Sequence, residues 1–312
     1  VAGITVAGRL TGGVYQGSRR AVVNPMSGSG DNADYVERLL AGRGFEVERT
    51  RGEGDAVAFG RDAVADGVSE VCVCGGDGTI NEVVRGLADA GGLGDVTLSV
   101  VPVGTANLLA GNVGIPDIRR SVEIADTGDV RRVDVGFADG EPFLVSTIAG
   151  FPADASLSAS SDLKARLGPL AFVVTGAQEA IEWNGIDIEL EAVTDAGTEE
   201  WTGEALCLLV GNARRFVAEG GQGDMEDGAF DVAVVEQMPA ANAVAEALGQ
   251  RLLGQDTPGV THLQASDLHV TADHPIRFSR DGELAEHDGL DLSVRERALD
   301  LRVGDSYDPD PV

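Results

Sequence analysis

The sequence predicts an α/β chain in two parts. An N-terminal doubly wound parallel-sheet domain precedes a C-terminal, mainly antiparallel β-sandwich domain. Three observations carry that expectation. The first third alternates short apolar runs with helix-like segments of about ten residues, the pattern of a parallel sheet with covered faces. Beyond about residue 130 the texture changes to period-two strands joined by Asp/Gly turns. A length of 312 residues suits one large domain or two ordinary ones, and 43% hydrophobic content is enough to build their cores.

The elements follow in order. "RAVVNP" is a strand ending at Asn24-Pro25, and "MSGSGDNA" is a loop. "ADYVERLLAGRG" has apolar residues at helical spacing and stops at Gly42 or Gly44. "FEVERT" is the second strand; "GDAVAFGRDAVADG" is a helix with Asp55 near its start and Gly67 as its stop. "EVCVCGGDGT" runs from a strand into the helix of "INEVVRGLADAG". "TLSVVPVGTANLLAGNVGIP" repeats the scheme, with a turn at Gly104-Thr105 and a stop at Gly114 and Pro116. In the second part "RRVDVGFAD", "EPFLVSTIAG", "GIDIELEAVTD", "TEEWTGEALCLLVGN", "FDVAVVEQ", "DLHVTAD", "HPIRFSRDGE", "LDLSVRE" and "ALDLRVG" read as strands. Only 161–182 and 239–254 look helical there. The expected divisions are an extension over 1–18, an α/β domain over 19–132 and a β-rich domain over 133–304. A Pro- and Asp-rich tail over 305–312 is expected to be disordered.

Charge excludes one class of partner. Lys+Arg is 23 against Asp+Glu 52, a formal net charge of −29, and Lys164 is the sole lysine. No basic footprint is available for nucleic acid. Carboxylates spread along the whole chain are what solubility in concentrated salt favours, because screening suppresses their mutual repulsion. The expectation is a cytoplasmic protein of an extreme halophile. No apolar run approaches 18 residues, and the opening "VAGITVAGRLTGG" lacks the layout of a secretory signal. Cys72, Cys74 and Cys207 form neither a disulfide framework nor zinc spacing; Cys72 and Cys74 alternate with Val71 and Val73 as small strand residues.

In an open parallel sheet, ligands sit at the carboxyl ends of strands. Three loops stand there: Asn24 to Gly28, Gly75 to Thr79, and Gly104 to Asn107. Glycines let backbone N–H groups approach phosphate oxygens, and the helix that follows adds its dipole. Neither the G-x-x-x-x-G-K-[ST] nor the G-x-G-x-x-G fingerprint is present. Thr79 and Thr105 stand at helix starts, where a hydroxyl either caps the helix or reaches a phosphate. Asp77 leaves two readings open: a cation bridging it to phosphate, which points to Mg²⁺-nucleotide, or a carboxylate that bonds local amides and holds the turn.

Further motifs narrow this. "NPMSGSG" at 24–30, "GGDGTINEVVRGL" at 75–87, "PVGTANLLAGNVGIP" at 102–116, "GNARRFVAEGGQGDMEDGAFDVAVV" at 211–235 and "RDGE" at 280–283 resemble, in order, the motifs of the diacylglycerol kinase catalytic-domain family. GGDGT alone is shared with NAD kinases and phosphofructokinases, whose α/β domain the first part is expected to be like. The resemblance implies ATP-dependent, Mg²⁺-assisted phosphorylation of a lipid hydroxyl at a membrane surface, in a cleft between the two domains. It implies that Gly75, Gly76, Asp77, Gly78, Thr79, Ile80 and Asn81 line the ATP phosphates, with Asp77 near the metal and acting in catalysis. Asn24 on the first loop, Thr50 at the end of the second strand, and Gly104, Thr105 and Asn107 on the third loop complete the nucleotide site. Glu283 matches the proposed general base, although Asp281-Gly282-Glu283 is also what an ordinary turn looks like. Asp227 matches the carboxylate of a structural Mg²⁺ site completed by carbonyls near Gln222 and Ala229. Departures from the family pattern fall mainly on the acceptor side: Leu108 stands where many relatives have aspartate, and "FLVSTIAG" lacks an expected asparagine. The membrane-docking basic residues are reduced to pairs such as Arg119-Arg120 and Arg214-Arg215. The acceptor is expected to be a diacylglycerol-like or ether-glycerol lipid, and the enzyme cytoplasmic with peripheral membrane contact. A kinase of a soluble alcohol such as NAD, or a nucleotide-binding regulator, are the competing readings; a homodimer is left open.

Overall fold

The computed structural model describes residues 18–28, 32–150, 185–216, 221–237 and 259–311. The two helices expected over 161–182 and 239–254 lie outside these residues. The fold is mixed α/β, with parallel strands at one end and a large antiparallel sheet. The parallel strands are β1 (Arg19–Val23), β2 (Glu46–Arg49), β3 (Glu70–Gly75) and β4 (Thr97–Pro102), in the order β2-β1-β3-β4. The apolar runs of β1, β3 and β4 are buried on both faces, as central parallel strands require, while β2 at the edge is partly exposed.

Between the strands run α1 (Ala33–Ala41), α2 (Asp55–Ala65), α3 (Asp77–Asp89), α4 (Leu108–Asn112) and α5 (Ile118–Thr127). The alternation in β3 sorts its side chains between two cores. Val71 and Val73 join Ala56 and Ala63 of α2 and Ile80, Val83 and Leu87 of α3. Cys72 and Cys74 face the other way, onto Val36 and Leu40 of α1 and Val122 and Ala125 of α5. All three cysteines are free and buried. Arg19, at the sheet's lower end, ties the layers together through Glu70, Asp126 and the Phe45 ring.

The second part begins with β5 (Asp129–Ala138), β6 (Glu141–Phe143) and β7 (Ser146–Gly150). It continues with β8 (Ile186–Thr194), β9 (Gly197–Gly211), the short pair β10 (Arg214–Arg215) and β11 (Gly221–Gln222), and β12 (Phe230–Glu236). The last strands are β13 (Val260–Ala265), β14 (Asp267–Arg280) and β15 (Glu283–Val303). Buried residues alternate along β8, and the core they enter centres on stacked Phe143 and Phe230 rings, 5.4 Å apart.

Four features differ from the sequence expectation. "DLHVTAD" and "HPIRFSR" form one strand, β14, with a register shift between Thr271 and Ile276. "LDLSVRE" and "ALDLRVG" likewise join in β15 across a shift between Arg295 and Leu299, where Arg297 has φ 46°. A bulge keeps pairing going where local punctuation reads as a turn. The end of β15 pairs parallel to β4, Asp300 opposite Thr97 and Leu301 opposite Leu98, which joins the parallel and antiparallel strands into one 13-stranded sheet. The boundary expected at 132–133 therefore falls inside β5, and residues near 300 belong to both parts. Finally, 305–311 is not a disordered tail: Asp305 pairs with Arg120 at 2.6 Å, Tyr307 donates to Glu226 at 3.2 Å, and the Asp308 main chain is gripped by the Gln222 amide.

Candidate active site

The loops after β1, β3 and β4 meet backbone to backbone. Asn24 opens the first, its Oδ1 accepting from Met26 N at 3.0 Å and its Nδ2 donating to Thr79 Oγ1 at 2.9 Å. That bond ties the first loop to the second, and Thr79 is buried. Gly76 and Gly104 touch: a Cβ on Gly104 would lie inside contact distance of Gly76 Cα, 3.1 Å from Gly76 N and 2.9 Å from Asn107 Oδ1. Steric closeness between loops therefore explains Gly104. Gly78 has no such explanation. It is exposed, sits in the first turn of α3, and a Cβ there would meet nothing within 4 Å. Glycine is a poor helix residue, so its use at this open position fits a ligand that must approach the backbone. No side chain caps the start of α3, which leaves its first-turn N–H groups to face that space.

The other predicted nucleotide residues divide by role. Both oxygens of Asp77 are engaged by the third loop: Oδ2 accepts from Leu108 N and Oδ1 from Leu109 N, each at 3.0 Å. Asp77 thus holds the start of α4 on the third loop, and neither oxygen bonds an amide of its own turn, the local bonding that the second sequence reading expected. Asn107, at φ 50° and ψ 46°, closes a ring with Gly104 through two 2.9 Å bonds, from Gly104 N to Oδ1 and from Nδ2 to Gly104 O. It shapes the third loop, whose exposed tip is Thr105. Thr50 is buried at the end of β2, its N–H donating to Val23 O. The Ile80 side chain belongs to the core, and its N–H donates to Gly76 O at 3.1 Å, so the open amides of α3 are those before it. Gly75 packs against the Thr79 side chain.

Asn81, 2% exposed, points away from the loops. Its Nδ2 donates to Pro142 O and to Asp281 Oδ2, each at 3.1 Å. Glu283 stands beside the same helix, with Arg85 Nη1 at 4.0 Å and Arg280 Nη2 at 3.5 Å. Burial raises the pKa of Glu82, and Glu283 is among the acids that add to the rise. The structure therefore places the DGE turn against α3, the helix that begins at Gly75–Thr79.

Asp227, Gln222 and Ala229 lie apart, on the segment from β11 into β12. Asp227 Oδ1 accepts from Ala229 N at 2.9 Å. Burial, with Asp224, Asp134 and Asp231 around it, pushes Asp227 up to about 6. Among the described residues no cluster of three acid, histidine or cysteine ligands is present. One carboxylate with two carbonyls, the set the resemblance implied, needs none. A cavity of about 560 Å³ lies between α1, α4 and α5, lined by Tyr35, Ala106, Asn107 and Ile118 among others; Asn107 is the one predicted site residue it contains.

Sequence reasoning missed Asp281. It is the first residue of the β14–β15 hairpin turn, with φ 45° before Gly282 at φ 93°, and Asp-Gly is what such a turn takes. That turn signal masked the four donors its carboxylate collects. Arg85 and Glu82 were also missed, since nothing in a charged helix face marks which charges meet another element.

Comparison with known proteins places the chain in a family. A profile of the diacylglycerol kinase catalytic domain matches residues 19–138. A Pseudomonas aeruginosa (strain UCBPP-PA14) protein named "Probable lipid kinase YegS-like" is 33% identical over 273 residues, 84% of this chain and 86% of the relative. The chain thus belongs to the diacylglycerol kinase catalytic-domain family, and is a kinase. The Escherichia coli (strain K12) protein named "Lipid kinase YegS" is 28% identical over 285 residues, 88% of this chain and 93% of that protein. Among solved structures, a diacylglycerol kinase from Bacillus anthracis (strain Sterne) gives a TM-score of 0.71 at 20% identity, covering 95% of this chain and all of that one. A second structure from that organism reaches 0.76 at 22%, covering 93% and 98%. At that identity the likeness bears on the fold.

Proposed function

We propose that the chain transfers the γ-phosphoryl group of ATP to the hydroxyl of a diacylglycerol-like or ether-glycerol lipid, in a cleft between the parallel-sheet part and the β-rich part. The observation that carries this is the open, uncapped start of α3 at Gly78, on the same helix that meets the turn bearing Glu283. The parallel half reads as doubly wound, of the NAD kinase and phosphofructokinase kind, which puts the nucleotide at the carboxyl ends of its strands.

In this reading the main-chain amides of Gly76 to Thr79, which precede the first intrahelical bond of α3, hold the phosphates, with Asn24, Thr50, Gly104 and Thr105 at the edges. Asp77 and Asn107 act by shaping the loops. Glu283 takes the proton of the lipid hydroxyl as the new O–Pγ bond forms and the bond from Pγ to the β-phosphate oxygen breaks, with ADP leaving, since a neutral alcohol is a weak nucleophile. Mg²⁺ supplies charge neutralisation on the transferring group. Asp227, with the carbonyls of Gln222 and Ala229, would hold a second Mg²⁺, whose charge would offset the neighbouring carboxylates of Asp224, Asp134 and Asp231. The glycine cradle and this oxygen donor set both fit the groups assigned to them.

No helix among the described residues is long and apolar enough to cross a membrane. We infer a cytoplasmic enzyme that visits the membrane surface, in a cell whose salt screens a net charge of −29. The test is label transfer from γ-labelled ATP, in molar salt, to extracted polar lipids, glycerol ethers, sphingoid bases and NAD. Label in a lipid supports the reading; label in NAD alone overturns it.

A further inference from the structure

Two-residue hairpin turns usually point their polar side chains at water. The β14–β15 turn does not. The Asp281 carboxylate turns inward and accepts from three consecutive main-chain donors, Leu144 N at 2.8 Å, Val145 N at 2.9 Å and Ser146 N at 2.8 Å. Its fourth donor is Asn81 Nδ2 at 3.1 Å. The Asp281 N–H returns a bond to Ser146 O at 2.9 Å. Successive N–H groups of this kind form an anion-holding concavity, here filled by a side chain of the protein itself. Burial raises the Asp281 pKa while these donors oppose the rise.

Among the described residues, Glu283, two residues on, has no comparable hold. Its nearest cations, at 3.5 and 4.0 Å, are at or beyond the outer limit of a hydrogen bond. The position of its carboxylate is therefore inherited from the turn. The helix side shows the same pairing. Asn81 and Arg85 are four residues apart and share one face of α3; the first binds Asp281 and the second faces Glu283. Asn81 also donates to Pro142 O, so two acceptors fix which way its amide lies.

We propose that Asp281 is the positioning residue of the site: by joining α3 to residues 144–146, it sets where Glu283 stands relative to the loops at the start of α3. This rests on the reading of Glu283 as the base, and it adds a residue that works through Glu283 and touches no substrate. It predicts that losses at the two positions do not multiply.

The test uses the full chain with Asp281→Asn, Glu283→Gln and the double variant, assayed for label transfer and for ATP affinity. Asn81→Ala serves as a second variant that leaves the three main-chain donors in place. The expected result for Asp281→Asn is a kcat lowered by about a hundredfold, with ATP affinity changed by less than about twofold. In the Glu283→Gln background Asp281→Asn should cost less than about threefold more. Multiplying losses, or full activity in Asp281→Asn, overturn the positioning role while the base reading stands. Full activity in Glu283→Gln instead removes the base reading, and with it the positioning role. Amide hydrogen exchange gives a readout independent of catalysis. Residues 144–146 should lose protection in Asp281→Asn, and unchanged protection there refutes the junction itself.

Discussion

Gly78→Ala separates the fold from the site more cleanly than any other single change. The added Cβ meets nothing within 4 Å, and Gly78 lies in the helix Asp77–Asp89, where its backbone has no positive φ. Alanine in place of glycine in a helix is worth up to about 1 kcal/mol. For a chain of this size that raises Tm by about 1–3 °C. The same methyl group stands in front of the uncapped amides of α3. A hydrogen bond to a charged group contributes roughly 1.5–3 kcal/mol, so displacing one phosphate oxygen from those amides weakens ATP binding by about tenfold or more. Gly104→Ala is the control: its Cβ lies 2.9 Å from Asn107 Oδ1 and inside contact distance of Gly76. It should lose about 1–3 kcal/mol of stability along with affinity. Thermal unfolding and nucleotide titration on the three proteins settle the matter. A Gly78→Ala protein that keeps wild-type ATP affinity refutes the phosphate cradle.

Other outcomes follow from the same geometry. Glu283→Gln should lower kcat by about 10²- to 10⁴-fold and leave thermal unfolding near wild type, because the Glu283 carboxylate is partly exposed. Asp77→Ala removes both acceptors of the Leu108 and Leu109 amides. It should cost on the order of 1–2 kcal/mol by thermal unfolding, as loss of a helix cap does. The His269 pKa is raised by its bond to Asp291, so the stability it adds is complete below the unfolded histidine range and is lost as pH rises through the folded pKa. His269→Gln should then lower Tm at pH 5.5 and not at pH 8.5; the opposite order contradicts the assignment. With −29 formal charges, Tm should climb steadily between about 0.1 and 3 M KCl as repulsion is screened, and a flat profile removes the halophilic reading.

The parallel half was legible because its signals are local. Cys72 and Cys74 alternating with Val71 and Val73 announced a strand with two covered faces, and each side chain lies in the core that alternation assigns. The GGDGT turn announced where that strand passes into a helix. What the sequence hid is non-local. Leu301 pairs with Leu98 across the whole second part of the chain, and nothing near either residue marks the partner. Asp77 reaches amides 31 and 32 residues away, so its role depends on the third loop having already folded beside it. Asp281 carries the turn signal and the Asn81 bond at once, and only the first is visible in "RDGE". Pro275 looks like an end because proline removes a donor, yet β14 runs through it by way of the register shift.

The central claim is phosphoryl transfer to a lipid hydroxyl that depends on Glu283. It is tested most directly by a single-turnover reaction of γ-labelled ATP with mixed lipid vesicles in molar KCl and Mg²⁺. Wild-type protein and Glu283→Gln run side by side, and the lipid and aqueous phases are counted separately. The account predicts label in the lipid phase for the wild type and about a hundredfold slower transfer for the variant. Label confined to the aqueous phase, or equal rates in both proteins, contradicts it.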